Sequence, residues 1–300
     1  MADRVGGLPV SVAYRPAAGL AAGGDFYDAF ELDDDRVAFM VGDVSGHGRD
    51  ALSRTTLVHY TLRAYLDAGL EPRQVLGMTD QAIGEELGGA FATVVVATYE
   101  PSSGALTYAS AGHPPPILSG PVDYEPVTEL SSPPIGIGLL PTGRRQTTIR
   151  LPAACEVCLY TDGLIEAQVD GELLGRDRLA EMMAGLEAET AAQALIGAVH
   201  VEADDASDDM AACVFSTGRR AAGDGERLEE LEVEVTMLDH RSTERFLETC
   251  GVPADEIPAA ISHARDVAAD AETAVLRIAI ADGSAAAEAQ PASVPALVAG

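Results

Sequence analysis

Residues 37–48 read VAFMVGDVSGHG, an apolar run that stops at Asp43 and gives way to a turn built on Ser45, Gly46, His47 and Gly48. The apolar part reads as a strand, and the segments on either side decide what it belongs to. Upstream, Phe26 to Leu32 pairs with Arg36 to Gly42 as a hairpin across the acidic turn Asp33-Asp34-Asp35. Downstream, Asp50 to Leu66 repeats Leu57/Val58, Thr61/Leu62 and Tyr65/Leu66 on one face, which predicts a helix. Pro72 then opens a second helix, expected to run to about Leu87, because proline suits a first helical turn.

A second hairpin is predicted from Phe91 to Tyr99 and Ala105 to Ala111, turning through Glu100-Pro101-Ser102-Ser103-Gly104. Cys155 to Thr161 reads as an apolar strand, Arg176 to Leu186 and Ala191 to Val199 as helices, and Met210 to Phe215 as a closing strand. Strand groups interleaved with helix pairs, rather than strict alternation, indicate an α+β sandwich. Residues 1–217 form the main domain, and the polar, Gly-containing stretch 218–227 reads as a linker. A small α/β segment follows over 228–283: a strand (Glu232 to Met237), helices (Ser242 to Cys250, Ala254 to Ala269) and a strand (Ala274 to Ala281). Residues 284–300, rich in Ala, Pro and Ser without amphipathic period, are expected to be disordered.

Composition narrows the function classes. Over 300 residues the formal net charge is −29, and all the basic side chains are Arg, with no Lys anywhere. Such a surface repels nucleic acid and anionic lipid, so neither is expected as a partner. The missing Lys removes a Walker-type phosphate lysine and a Schiff-base lysine. The four cysteines are sparse, which suits a reducing compartment, and the lone pair Cys155-x-x-Cys158 reads as structural. No stretch is apolar enough to span a bilayer and the start is not signal-like, so a cytoplasmic protein is expected.

Acidic residues recur where strands run out beside glycine. Asp25 follows Gly23-Gly24, Asp43 precedes the Gly46/Gly48 turn, Asp162 precedes Gly163, and Asp208-Asp209 lead into the last strand. Singly, each is an ordinary turn former. Converging together, they would repel unless a hard divalent cation such as Mg²⁺ or Mn²⁺ sat among them.

The segments GGDFYDAF, VGDVSGHG, ATYEPSSGALTYASAGHPPPIL, PPIGIGLLP, LYTDGLIEA and DDMAACVF occur in an order that resembles stage II sporulation protein E-like phosphatases. These form the bacterial branch of the protein phosphatase 2C-like (PPM) superfamily, and the resemblance spans roughly Pro9 to Phe215. It implies a four-layer α-β-β-α sandwich carrying a binuclear Mn²⁺ or Mg²⁺ centre. By position, Asp43 would bridge both metals, Asp162 and Asp208 would ligate one, and Asp25 would join the shell of the other. The carbonyl of Val44 would add a ligand, and Asp209 occupies a polar position of the set. Asp43, Asp162 and Asp208 are then the catalytic carboxylates. The implied chemistry is attack of a metal-bridging hydroxide on phosphoserine or phosphothreonine, with no phospho-enzyme. The implied substrate is a phosphorylated protein, an anti-sigma factor antagonist in a stress or sporulation pathway.

His47 is read as shaping its Gly-rich loop rather than as the general acid, His113 as structural, and Arg15 as a residue of the site entrance. The helix over Asp50 to Leu66 directly follows the Asp43 loop, where relatives carry a switch. Residues 232–281 faintly resemble the opening of anti-sigma-factor serine kinases, but without the Mg-ATP asparagine or the nucleotide lid. As a degenerate remnant, this segment would serve docking or homodimerisation; an unrelated α/β appendage fits equally. The rival to an active phosphatase is a catalytically silent binding module that keeps the fold.

Overall fold

The computed structural model describes residues 4–17, 24–33, 35–46, 48–121, 131–138, 143–203, 208–217, 225–281 and 284–292. The chain begins with β1 (Arg4–Val5) and β2 (Leu8–Arg15), then the hairpin β3 (Phe26–Glu31) and β4 (Val37–Val44). Helices α1 (Arg49–Asp67) and α2 (Pro72–Ile83) precede the hairpin β5 (Ala92–Glu100) and β6 (Ala105–Ala111). Strands β7 (Ile117–Ser119), β8 (Arg144–Arg150) and β9 (Glu156–Tyr160) lead into the short helix α3 (Asp162–Ile165). A small ribbon, β10 (Gln168–Val169) and β11 (Glu172–Leu173), is followed by α4 (Gly175–Met183), α5 (Ala188–Glu202) and β12 (Met210–Ser216). The C-terminal part runs β13 (Arg227–Glu234), α6 (Arg241–Thr249), α7 (Ile257–Val267), β14 (Thr273–Ala281) and β15 (Ser284–Pro291).

Period-two alternation in β4 sets the layers. Val37, Phe39 and Val41 point into a core shared with Val10, Val157, Leu159, Cys213 and Phe215. Ala38, Met40 and Val44 point the other way, onto Val58, Leu62 and Leu66 of α1 and Val75 and Leu76 of α2. β4 is therefore buried along nearly its whole length, which is why it reads as a continuous apolar run. The two facing sheets are antiparallel, ordered β1-β2-β12-β9-β7 and β15-β14-β13-β8-β6-β5-β4-β3. Phe39 and Phe215 stack between them with centroids 4.1 Å apart. On the far side, Leu179, Met183, Leu195 and Val199 of α4 and α5 cover Tyr160, Ala212 and Val214. This is the α-β-β-α sandwich that the resemblance implies.

α2 begins at Pro72 as expected, with Glu71 and Gln74 forming a capping box, but its α-helical part ends at Ile83. Gly84 and a 3-10 turn over Glu85–Leu87 follow, and Gly88 and Gly89 both take positive φ (63° and 90°). Three glycines within six residues remove the backbone bias that would carry the helix on to Leu87.

Two expectations about the C-terminal part need correction. β13 starts at Arg227, inside the stretch read as linker, and pairs with β8 from Arg227↔Ile149 to Glu232↔Arg144. The segment thus continues the larger sheet. The stretch read as disordered carries β15, in register with β14 from Ala274↔Pro291 to Ala281↔Ser284. β14 offers a free ladder edge, and Ala285, Ala287 and Ala289 are small enough to pack beside Ile261 and Ala264 of α7. Low apolar mass hid a strand whose side chains need to be small. Residues 293–300 and 218–224 lie outside the described residues.

Candidate metal centre

The candidate aspartates reach one end of the sandwich from four separate elements. β4 delivers Asp43 as its penultimate residue, opposite Thr93 of β5. Asp25 precedes β3, Asp162 opens α3 directly after β9, and Asp208 and Asp209 precede β12. β9 and β12 are neighbours in one sheet, with Ala212 paired to Tyr160, so Asp162 and Asp208-Asp209 are brought together by that ladder.

Two glycines permit the close approach between segments. Gly24 accepts from Val44 N–H at 3.1 Å, and a Cβ on Gly24 would collide with the Val44 carbonyl oxygen and Asp43 Oδ1. Asp25 can stand beside Asp43 only because nothing projects from residue 24. Likewise a Cβ on Gly163 would meet the Asp209 carbonyl oxygen, so glycine is needed for α3 to start against β12.

Hydrogen bonds fix the side chains further. Thr161, fully buried, donates from Oγ1 to Asp25 Oδ2 at 2.8 Å. Asp209 is buried and accepts from Ala17 N–H through Oδ1 at 2.6 Å, which anchors the end of the β2 segment. Asp208 Oδ1 accepts from Asp209 N–H at 2.8 Å. Val44 presents its carbonyl beside Gly24.

The carboxylates raise one another's proton affinity. Burial pushes Asp25 up to about 8; the Thr161 bond opposes this, and Asp43, Asp209 and Asp162 add to it. Asp43 is raised to about 6 by burial and by Asp162, Asp208 and Asp209. Asp162 is raised by burial and by Asp208. Among the described residues, no three His, Cys, Asp or Glu side chains close into a ready-made cation cage. Hard oxygen donors that raise one another's proton affinity are the donor set that Mg²⁺ or Mn²⁺ favours, so the residues fit such ions.

His113 is buried and links three segments. Its Nδ1 pairs with Thr93 Oγ1 at 3.0 Å and its Nε2 with the Tyr160 carbonyl at 2.9 Å. Burial lowers it to about 4, so the ring is neutral, donating from Nε2 to the carbonyl and accepting at Nδ1. Arg15 ends β2 opposite Met210, and its guanidinium lies 2.6 Å from His200 Nε2 on α5. His47 lies outside the described residues. Cys155 and Cys158 are buried free thiols with proton affinities raised by burial.

Sequence reasoning missed Thr161 and the steric duty of Gly24 and Gly163. Its available signal was the tripeptide Thr161-Asp162-Gly163, where a hydroxyl and a glycine flank the candidate ligand.

Beside Asp162 opens a cavity of about 420 Å³, reaching His113, Pro114, Arg145 and Gln146 where β6 and β8 cease to pair beyond Tyr108↔Thr147.

Comparisons with known proteins agree with this fold. The family model described as Stage II sporulation protein E (SpoIIE) matches residues 33–218. Phosphoserine phosphatase RsbP of Bacillus subtilis (strain 168) is 24% identical over 148 residues, 48% of this chain and 36% of RsbP. Phosphoserine phosphatase RsbU of the same organism is 25% identical over 162 residues, 53% of this chain and 48% of RsbU. The chain therefore spans about half or less of the length of these curated relatives. The crystal structure of the RsbU and RsbW domains of Rv1364c from Mycobacterium tuberculosis superposes with a TM-score of 0.57 at 24% identity, covering 91% of this chain and 80% of that one. That likeness extends the shared fold into the C-terminal strands.

Proposed function

Since the chain belongs to the stage II sporulation protein E (SpoIIE) family, we propose that it is a metal-dependent protein serine/threonine phosphatase. Its substrate would be a phosphorylated protein, an anti-sigma factor antagonist of a partner-switching pathway. The relatives named phosphoserine phosphatases support the reaction class.

One observation carries the reading: Asp43 at the end of β4 feels Asp162, Asp208 and Asp209, carried by the start of α3 and the approach to β12. Carboxylates that raise one another from separate elements form a site with a reason to take up cations. Asp43, Asp162 and Asp208, with Asp25, the Val44 carbonyl and Asp209 around them, would hold two Mn²⁺ or Mg²⁺ ions. Such ions, when bound, lower the pKa of water from 15.7 towards about 7 and neutralise charge on phosphoryl oxygens.

The chain's own contribution is placement. Asp43 sits on a strand buried along nearly its whole length, which holds it firmly in place. Gly24 and Gly163 let neighbouring segments close in, and the Ala17 bond occupies Asp209 Oδ1, leaving that residue a bracing role as well as a ligating one. No Ser-His-Asp grouping is needed, and Ser45 is committed to the loop: its Oγ accepts from Phe91 N–H at 2.9 Å.

The test is hydrolysis of an aryl phosphate and of a phosphoserine peptide with Mn²⁺ added and with chelator. Activity should require the metal, and Asp43→Asn should lower turnover by on the order of 10²–10³-fold. Normal turnover in Asp43→Asn overturns the assignment. A metal-replete wild type that turns over neither substrate favours the silent-module reading.

A further inference from the structure

Thr161 is buried completely, yet its hydroxyl is used twice. Ala211 N–H donates to Thr161 Oγ1 at 2.8 Å, so the hydroxyl oxygen accepts from the start of β12. The Thr161 amide in turn donates to Ala211 C=O at 3.0 Å, so the residue is clamped to the start of β12 at both ends. With its oxygen already accepting, the hydroxyl proton has one short outlet, Asp25 Oδ2 at 2.8 Å; the alternative, Ala211 O, is 3.5 Å away. Asp25 leads into β3 of the other sheet, beside Asp43. A single hydroxyl therefore spans from the ladder carrying Asp162 and Asp208 to the hairpin carrying Asp25 and Asp43.

We propose that Thr161 is a positioning residue: held by Ala211, it orients the Asp25 carboxylate through Oδ2, so that Oδ1 is the oxygen offered to a divalent cation. The proposal rests on the cation-site reading of Asp25. Its mechanism is the one by which hydrogen bonds from neighbouring groups generally fix ligating carboxylates.

The test is Mn²⁺ binding by calorimetry on the full chain, across wild type, Thr161→Val, Thr161→Ser, Asp25→Ala and the double variant Asp25→Ala/Thr161→Val. Circular dichroism confirms that each variant is folded. Valine keeps the shape and removes the hydroxyl; serine restores it. Thr161→Val should weaken Mn²⁺ binding by about 10–100-fold, and Thr161→Ser should stay within about twofold of wild type, well short of that lower bound. With Asp25 already removed, Thr161→Val should change nothing more, because the two act as one unit. The proposal is overturned if valine weakens binding equally with and without Asp25. It is also overturned if Asp25→Ala weakens binding and Thr161→Val does not. If Asp25→Ala binds Mn²⁺ like wild type, the cation reading of Asp25 itself fails and takes this proposal with it.

Discussion

Arg73 on α2 donates to Glu230 on β13 across 3.1 Å, and both side chains are buried. Glu230 also accepts from Gln146 at 2.5 Å and Arg277 at 2.7 Å, while Glu232 accepts from Arg73 at 3.1 Å and Arg144 at 3.0 Å. Charges out of water are tolerated when matched in this way, and a set with one member removed is costly. The cluster ties the C-terminal strands to a helix that packs on the β4–β6 face of the larger sheet.

Glu230→Ala should therefore destabilise the chain by about 1.5–3 kcal/mol, because it removes the acceptor shared by Arg73, Gln146 and Arg277 and leaves the buried Arg73 with Glu232 alone. Urea unfolding measures this directly. A loss below about 1 kcal/mol, the range of an exposed pair, would show that the cluster is solvated in solution.

Removing residues 218–300 should leave β8 as a bare sheet edge beside a partnerless Arg73. Uncovered edges pair with other chains, so the shortened protein should aggregate where the full chain stays dispersed. Light scattering distinguishes the two. A monodisperse, fully stable 1–217 fragment would mean that the C-terminal strands are an independent unit.

Metal-free stability should fall as pH rises. Asp25 and Asp43 hold their protons in the folded chain up to about 8 and about 6, against 3.8 for a free side chain. The folded state thus binds more protons than the unfolded one, and stability drains away from about pH 4 up through about pH 8. Asp25→Asn should flatten the decline of the thermal midpoint between pH 5 and 8.5. The rise in midpoint on adding Mn²⁺ should grow with pH, since the ion binds the ionised carboxylates. A midpoint slope unchanged by Asp25→Asn would contradict the burial of that group.

His113 acts in the opposite sense. Its folded value of about 4 lies below the ordinary 6.5, so its contribution is complete above pH 6.5 and is lost as pH falls towards 4. His113→Leu should cost about 1–3 kcal/mol at pH 7 by leaving the Tyr160 carbonyl and Thr93 hydroxyl unpaired. The cost should shrink at pH 5. Equal costs at both values would argue against a neutral, buried ring.

Elements with strong local signals were legible before any coordinates. The hairpins around Asp33–Asp35 and Pro101–Gly104, and the helices at Arg49–Asp67 and Arg241–Thr249, are specified by turn residues and helical period within a few positions. β2 and β8 escaped notice because LPVSVAYR and RRQTTIR mix polar and apolar residues, and their partners lie far away in sequence. β15 escaped although its partner is adjacent, because its small residues carry little apolar signal and its identity rests on the β14 ladder. At the candidate site, Asp25, Asp43 and Asp162 were visible as aspartates with glycine close by at strand termini, and Asp208 as an acidic residue leading into the last strand. His113 was read as structural and does bond across the hairpin to Thr93, whereas Thr161 was not assigned as a brace, because its bond crosses from one sheet to the other.

The central claim is that the aspartates at this end of the sandwich gather a pair of cations. Crystals soaked in Mn²⁺ and measured at the manganese absorption edge test it most directly. Two anomalous peaks a few ångströms apart, both within reach of Asp43 and flanked by Asp25, Asp162 and Asp208, are the predicted result. A map with no peak near Asp43 would contradict the account.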